Sequence, residues 1–418
     1  MLESEATPTE VRFRLHEVIR QYALARLTDA GESERTGARH LDYYGRLVAE
    51  AELQLTGSAQ GAWLDRLEAE HDNLRAALGC SQGADDCREA GLRMVGGLAR
   101  FWATRGYFGE GRHWARSLLA APMEDAATPG RLAGLTAAAY LAYYQGDYAE
   151  ARGLYDRALA AAQALGDKRA IAAITRGLGT VAHAQGDCAV ALRSYELSLA
   201  ACREIGDRWG EATARANLGL AAWQHGDPAT ARGHLAACLD LRRELGDETG
   251  IAYVLNVLGD VAWSEGRPVE AQSLNDESLA MRRRLGDTWG LAYSLDSLGQ
   301  MARGRRDWTR ARTCFAESLL LFHELGSQRA AADSLDHIAG LLAAEGNPQA
   351  AAQLMAAADA RRHNLAAILP PNERIIYDEQ FAQIRERLGD EEFRAAWTLG
   401  RAASFDQAVS HALRLLAV

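Results

Sequence analysis

Lysine is almost missing from this chain. Of 46 basic residues only Lys168 is a lysine, and the other 45 are arginine. A G-x-x-x-x-G-K-[ST] phosphate loop needs a lysine to reach the β- and γ-phosphates, and Lys168 sits between Asp167 and Arg169, so the sequence holds no such loop. The arginine excess is read as codon bias of a GC-rich source, not as a demand for bidentate anion binding. Cysteine is sparse too. Cys80 and Cys87 are the closest pair, while Cys188, Cys202, Cys238 and Cys314 are scattered without metal-ligand spacing, so free buried thiols and no metal are expected. At Cys238 a small residue suffices, because Ser198, Ser278 and Ser318 hold the same column. No apolar run approaches the roughly 18 residues of a membrane helix and no signal peptide opens the chain, so the expected location is cytoplasmic, without a membrane partner. The formal charge of -10 argues against direct nucleic-acid binding. The basic runs Arg282-Arg283-Arg284 and Arg303, Arg305, Arg306, Arg310 and Arg312 are read mostly as solvated faces. His71, His113, His183, His225 and His337 accompany no nucleophile elbow, H-E-x-x-H or paired metal spacing, so neither catalysis nor a cofactor is expected. His71 is read as a polar residue hydrogen-bonding toward the first repeat.

What the chain has in abundance is a Gly-Asp punctuation recurring every 40 residues: Gly166-Asp167, Gly206-Asp207, Gly246-Asp247, Gly286-Asp287 and, weakened, Gly326-Ser327. A second series lies half a period away at Gly146-Asp147, Gly186-Asp187, Gly226-Asp227, Gly266-Arg267 and Gly346-Asn347. Glycine accepts the left-handed backbone just past a helix, and the following Asp or Asn accepts from the free N–H groups of the next one. Each unit is therefore a helical hairpin. Hydrophobic content of 48% and only 8 prolines, mostly in predicted turns, agree with an all-helical chain.

Between the stops, residues return in fixed columns. Leu178, Leu218, Leu258, Leu298 and Ile338 each precede a small residue, Gly179, Gly219, Gly259, Gly299 and Ala339. Twelve positions on come Ala191, Ala231, Ala271, Ala311 and Ala351, with Ala151 beginning that column, and four further Tyr155, Tyr195, Leu235, Phe315 and Met355, with Asn275 the exception. This pattern resembles the tetratricopeptide repeat, whose usual period is about 34 residues, lengthened here by about one and a half helical turns. The resemblance implies an all-α fold, a right-handed α-solenoid of hairpins about 40 residues long.

The flanks carry a second resemblance. Phe13 through Ala23, Leu27, the stretch His40-Leu41-Asp42-Tyr43-Tyr44 and Trp63 through Leu78 look like the segment joining the ATPase and winged-helix region to the repeats of large bacterial STAND-type regulators, many of them LuxR-type. The C-terminal part of the resemblance is Pro371 to Arg374 and Tyr377, Leu388-Gly389-Asp390, Phe393, Ala396-Trp397, Gly400-Arg401 and Ser404 to Ala408, where Ser404 and Gln407 also have capping-box spacing. The expected organisation is a remnant of the winged-helix junction over 1–30, a helical adaptor over 31–84, a degenerate first hairpin over 85–130, six repeats over 131–367 and capping helices over 368–418. The helix-turn-helix module that LuxR-type members carry past such a cap is not expected within this chain. The resemblance implies the non-catalytic sensor arm of a transcriptional regulator, working with an ATPase and DNA-binding module in the same or a neighbouring protein. A free-standing scaffold for protein partners is the other reading.

In such a superhelix the first helix of each hairpin lines the concave surface. The inward positions are Arg176, Thr180 and His183; Ala216, Leu220 and Trp223; Asn256, Asp260 and Trp263; Asp296, Gln300 and Arg303; and Asp336 with Gly340. Packing columns repeat one residue type, whereas these change from basic to aromatic to acidic, as a surface specific for a protein, peptide or small-molecule effector would. Trp223 and Trp263 should be neighbours beside the acceptors Asn256, Asp260 and Asp296, either as a stacking platform or as covers for a helix junction. Trp209 and Trp289, at hairpin turns, are expected to pack between units.

Overall fold

The computed structural model of the protein describes residues 2–6, 11–82, 85–120 and 127–417. An antiparallel hairpin opens it, β1 (Leu2–Ala6) and β2 (Val11–Leu15), with Leu2 opposite Leu15. The alternating Val-Arg-Phe-Arg-Leu of β2 explains this small exception to an otherwise helical chain. Six helices follow: α1 (Glu17–Asp29), α2 (Ser33–Gln54), α3 (Gln60–Ala69), α4 (His71–Cys80), α5 (Asp85–Arg105) and α6 (Phe108–Leu119). Then come six hairpins, α7 (Pro129–Tyr144) with α8 (Tyr148–Leu165), α9 (Lys168–Ala184) with α10 (Cys188–Ile205), α11 (Arg208–Gln224) with α12 (Pro228–Leu245), α13 (Glu248–Ser264) with α14 (Pro268–Leu285), α15 (Thr288–Gly304) with α16 (Trp308–Glu324), and α17 (Gln328–Ala344) with α18 (Pro348–Asn364). The chain ends in α19 (Pro371–Leu388), α20 (Asp390–Ala402) and α21 (Phe405–Leu416).

The punctuation works as its chemistry dictates. Gly146, Gly166, Gly186, Gly206, Gly226, Gly246, Gly266, Gly286, Gly326 and Gly346 all have φ between +62° and +91°. The Asp that follows each glycine, from Asp147 to Asp247 and again at Asp287, accepts the N–H three residues on, as do Asp307 and Asn347 at their own turns. Arg267 and Ser327 offer no such cap. At the fifth turn within a hairpin the left-handed residue is Arg306, at φ +62°, where the other five have glycine.

The small columns mark close helix crossings. A Cβ on Gly219 would lie 2.7 Å from Leu235 Cγ and 3.1 Å from the Ala231 carbonyl, and on Gly299 it would strike the Phe315 ring. Ser278 and Ser318 donate to the carbonyls of Ala252 and Ala292, pinning the second helix of a hairpin to its first. Cys202, Cys238 and Cys314 are buried thiols, whereas Cys80 is exposed and Cys87 and Cys188 half-buried, so burial holds for only part of the set. Ser404 and Gln407 form the reciprocal capping box of α21.

Hairpins meet their neighbours, as in any solenoid, but also meet units far along the chain. Gln60, opening α3, accepts from the Thr249 N–H and hydroxyl at 2.9 Å each and lies 3.4 Å from Asp247 Oδ1, 187 residues on. Ser327 donates to the Tyr144 carbonyl at 2.9 Å across 183 residues. Leu325 packs on Gly106, Arg105 on Gly286, and the Arg100 guanidinium lies 4.2 Å over the Trp209 ring. The superhelix thus winds tightly enough for its N-terminal helices to form a seam with its later repeats. At the other end, α20 packs on α18, and Arg312 donates to the Leu415 carbonyl.

Candidate functional site

First helices of successive units turn a common face inward, and the chain's own tail runs along it. Leu365 rests on Gly146; the Ile368 N–H donates to the Ala184 carbonyl at 3.2 Å while its side chain covers Gly186. α19 then touches α11 and α17, with Gln380 against Gly340.

The middle of this face is a connected polar network. Asn256, fully buried on α13, donates to Ser297 Oγ at 3.0 Å and to Asp260 at 3.3 Å, and its Oδ1 accepts from Ser294 and from Arg282 of α14. Asp296 on α15 accepts from Gln300 and from Ser334 on α17, and His337 Nδ1 lies 2.7 Å from its Oδ2. Asp336 pairs with Arg362 of α18. Asn256, Asp260, Asp296 and Gln300 therefore come together, while Asp336 is held apart by its arginine. Arg282, read from sequence within a solvated run, is instead fully buried, because Asn256, the Gly290 carbonyl and Asp287 surround its guanidinium.

On α9, Thr180 donates to the Arg176 carbonyl and accepts from Asn217, and His183 stacks on His225 at 6.4 Å. Leu220 packs half-buried beside the α11–α13 core. Trp223 donates its indole N–H to Ser264 at 3.3 Å, and Trp263 lies on Gly304 with Arg305 over its ring at 5.7 Å. Each indole thus covers the junction with the following unit and stays partly open to solvent. Arg303 reaches Gly340 beside Gln380. Trp209 donates to Asp247 at 2.8 Å and Trp289 to Ser327 at 3.3 Å, packing between adjacent units. His71 lies 3.0 Å from Glu110 on α6, ahead of the six repeats and not in the first of them. Burial opposes the charge of Glu110, but hydrogen bonds from His71 and Arg75 outweigh it and hold its carboxyl down at about 2.

Burial dominates the electrostatics of the inner face. It pushes Asp260 up to about 7, with Asp296 adding to the shift, and Asp336 up to about 6 against the pull of Arg362. It lowers His183 to about 4 and draws Arg176 and Arg303 below the usual guanidinium range. Glu373, in the first turn of α19, is pushed up to about 7 by burial and by Asp333, against Arg329, His337 and Arg362. Tyr143, Tyr253 and Tyr293 interact across the same interior. Sequence reasoning missed these tyrosines, although Tyr253 and Tyr293 form a 40-residue column three positions before Asn256 and Asp296. It also missed Glu373, which no periodicity marks. Among the described residues no cluster of His, Cys, Asp or Glu could hold a metal, and no helix is long and apolar enough to cross a membrane. The wall offers amide, hydroxyl and phenol groups with charges of both signs.

Residues 131–204, 171–244 and 210–284 match the tetratricopeptide repeat family. A protein of Mycobacterium tuberculosis that carries the provisional name of HTH-type transcriptional regulator is 39% identical over 108 residues, 26% of this chain. The match spans only 12% of that relative. Among solved structures, a Rap protein complexed with competence and sporulation factor superposes with a TM-score of 0.57 at 12% identity, covering 92% of this chain and 99% of that one. NprR in complex with its cognate peptide NprX gives 0.56 at 11% identity, covering 87% and 98%. These likenesses establish the fold.

Proposed function

We propose that this tetratricopeptide-repeat chain is the effector-binding sensor arm of a bacterial transcriptional regulator. The observation that carries the reading is the inner face, where side chains change from unit to unit while the packing columns around them repeat. Partial homology to a regulator and the STAND-like flanks support the regulatory setting. That both solved neighbours hold a factor or peptide supports a peptide or protein effector here. The hydroxyls that meet carboxylates there, Ser334 on Asp296 and Ser297 on Asp260, are read as structural hydrogen bonds, so the reading is one of binding without chemistry.

Two measurements test it together. Native mass spectrometry of the protein purified from its own host should find a retained effector, and transcript profiling of a host lacking the chain should show a defined set of changed genes. A partner retained with no transcript changed would favour the scaffold reading. Neither effect would overturn both.

A further inference from the structure

Resting on that reading, we propose that the effector carries a phosphate group, held by Arg100 and Arg176 beside Trp209. Three guanidiniums converge on that indole from separate elements: Arg100 near the end of α5 at 4.2 Å from the ring centroid, Arg242 of α12 at 4.8 Å and Arg176 of α9 at 5.7 Å. One carboxylate stands among them, and it is fully engaged. Asp247, fully buried, accepts from the Trp209 indole, the Gly250 N–H, Arg242 and, at 3.4 Å, Gln60. Arg242 is thus paired, with Thr213 as its second partner at 2.6 Å. Among the described residues Arg100 and Arg176 have no hydrogen bond or ion pair from their guanidiniums, and Glu52 and Asp207 act on them only from farther off. Arg112, Arg312 and Arg329, half-buried as these two are, each hold a carboxylate.

The repeat pattern accounts for the surplus of positive charge. In later units the column that Arg176 opens holds acceptors: Asn256 accepts from Arg282, and Asp336 from Arg362, each arginine 26 residues downstream. Ala216 offers Arg242 no such acceptor, and Arg176 puts a cation where the later units put an amide or a carboxylate. Burial draws Arg176 below the usual guanidinium range, and Arg242 pushes the same way. An anion arriving from the groove would supply what the column omits. Trp209 and both arginines are only half-buried, so solvent reaches them. Two uncompensated guanidiniums call for a ligand charge of about −2, which one phosphate monoester provides near neutral pH, with three acceptor oxygens that match the paired N–H groups of arginine. A single carboxylate brings half that charge.

The experiment titrates inorganic phosphate into the whole chain by calorimetry, with succinate as a carboxylate arm and ionic strength held constant. Phosphate should bind one to one and raise the melting temperature, and Arg100→Gln and Arg176→Gln should each weaken binding at least tenfold. Without phosphate both variants should melt as the wild type does, since neither guanidinium is paired. Arg243→Gln, on the exposed end of α12, should leave binding unchanged. The two arginines lie on different helices, so a fold defect in one variant leaves the other to read. No phosphate binding, wild-type binding in both variants, an equal loss in Arg243→Gln, or succinate binding as tightly as phosphate overturns the inference. So does a lower melting temperature of both variants without phosphate, which would make the guanidiniums clamps on the indole. Any of these results leaves the proposed function standing, because retained effector and transcript changes are measured on the wild type.

Discussion

A left-handed backbone costs an L-residue roughly 1–2 kcal/mol relative to glycine, and Arg306 adopts it where five equivalent turns have glycine. Arg306→Gly should therefore raise stability by about 1 kcal/mol, read as a higher midpoint in urea unfolding. An unchanged or lower midpoint would mean that the arginine side chain stabilises the turn by more than its backbone costs. The glycine turns and caps were legible in the sequence because their chemistry is local: the stop, the cap and the restart lie within four residues. The fate of Asn256 was not, since its partners sit on two other helices. The tryptophans bear on binding at the same scale. Each is anchored to the next unit yet partly open, so Trp223→Ala and Trp263→Ala should each weaken effector affinity at least tenfold in calorimetry, with helicity retained. Arg243→Ala, exposed on the outer end of α12, should leave affinity unchanged. Wild-type affinity in both tryptophan variants would move the site off this part of the groove.

Among the elements, α19 departs most from what a capping helix was expected to be. Its first turn carries Glu373 into the groove, a destination set by the superhelix and not by any motif in residues 368–418. Glu373 and Asp260 are both pushed up to about 7, above the ordinary carboxylate range near 4, so the folded state holds their protons more tightly than the unfolded chain does. Their contribution is fully present below about pH 4 and is lost as pH rises through about 7. His183, held down to about 4, works in the opposite sense below about 6.5, while His337, raised by Asp296 against its burial, loses stability above 6.5 in the same sense as the carboxylates, so at roughly pH 6.5 to 8 the carboxylate share is read from the difference between wild type and variant. Over that window the melting temperature of the wild type should fall more steeply than that of Glu373→Gln or Asp260→Asn. Parallel curves would show these carboxyls to be ionised and solvated already at neutral pH.

For the molecule as a whole, the repeats alone suggest a curved rod in which a 40-residue excision goes unnoticed, because each hairpin would need only its neighbours. The seam alters that expectation. Deleting Asp207 to Gly246 should leave a helical protein by circular dichroism. It also slides Gln60 from Thr249 to Trp289 and moves Ser327 out of reach of Tyr144, so scattering should show a more open particle and unfolding a lower midpoint. Equal compactness would mean that the seam imposes no register. Period and hairpin were legible because they recur; the seam was not, because each of its contacts is made once.

A solenoid normally lengthens by copying a unit at any joint, since every joint is alike. Here Gln60 finds its partner 187 residues downstream and Ser327 reaches back 183, so an extra unit between them would throw both out of step. The protein in effect gauges its own circumference. A ring with a fixed number of rungs is also a ruler, and whatever it admits is selected for span as well as for chemistry.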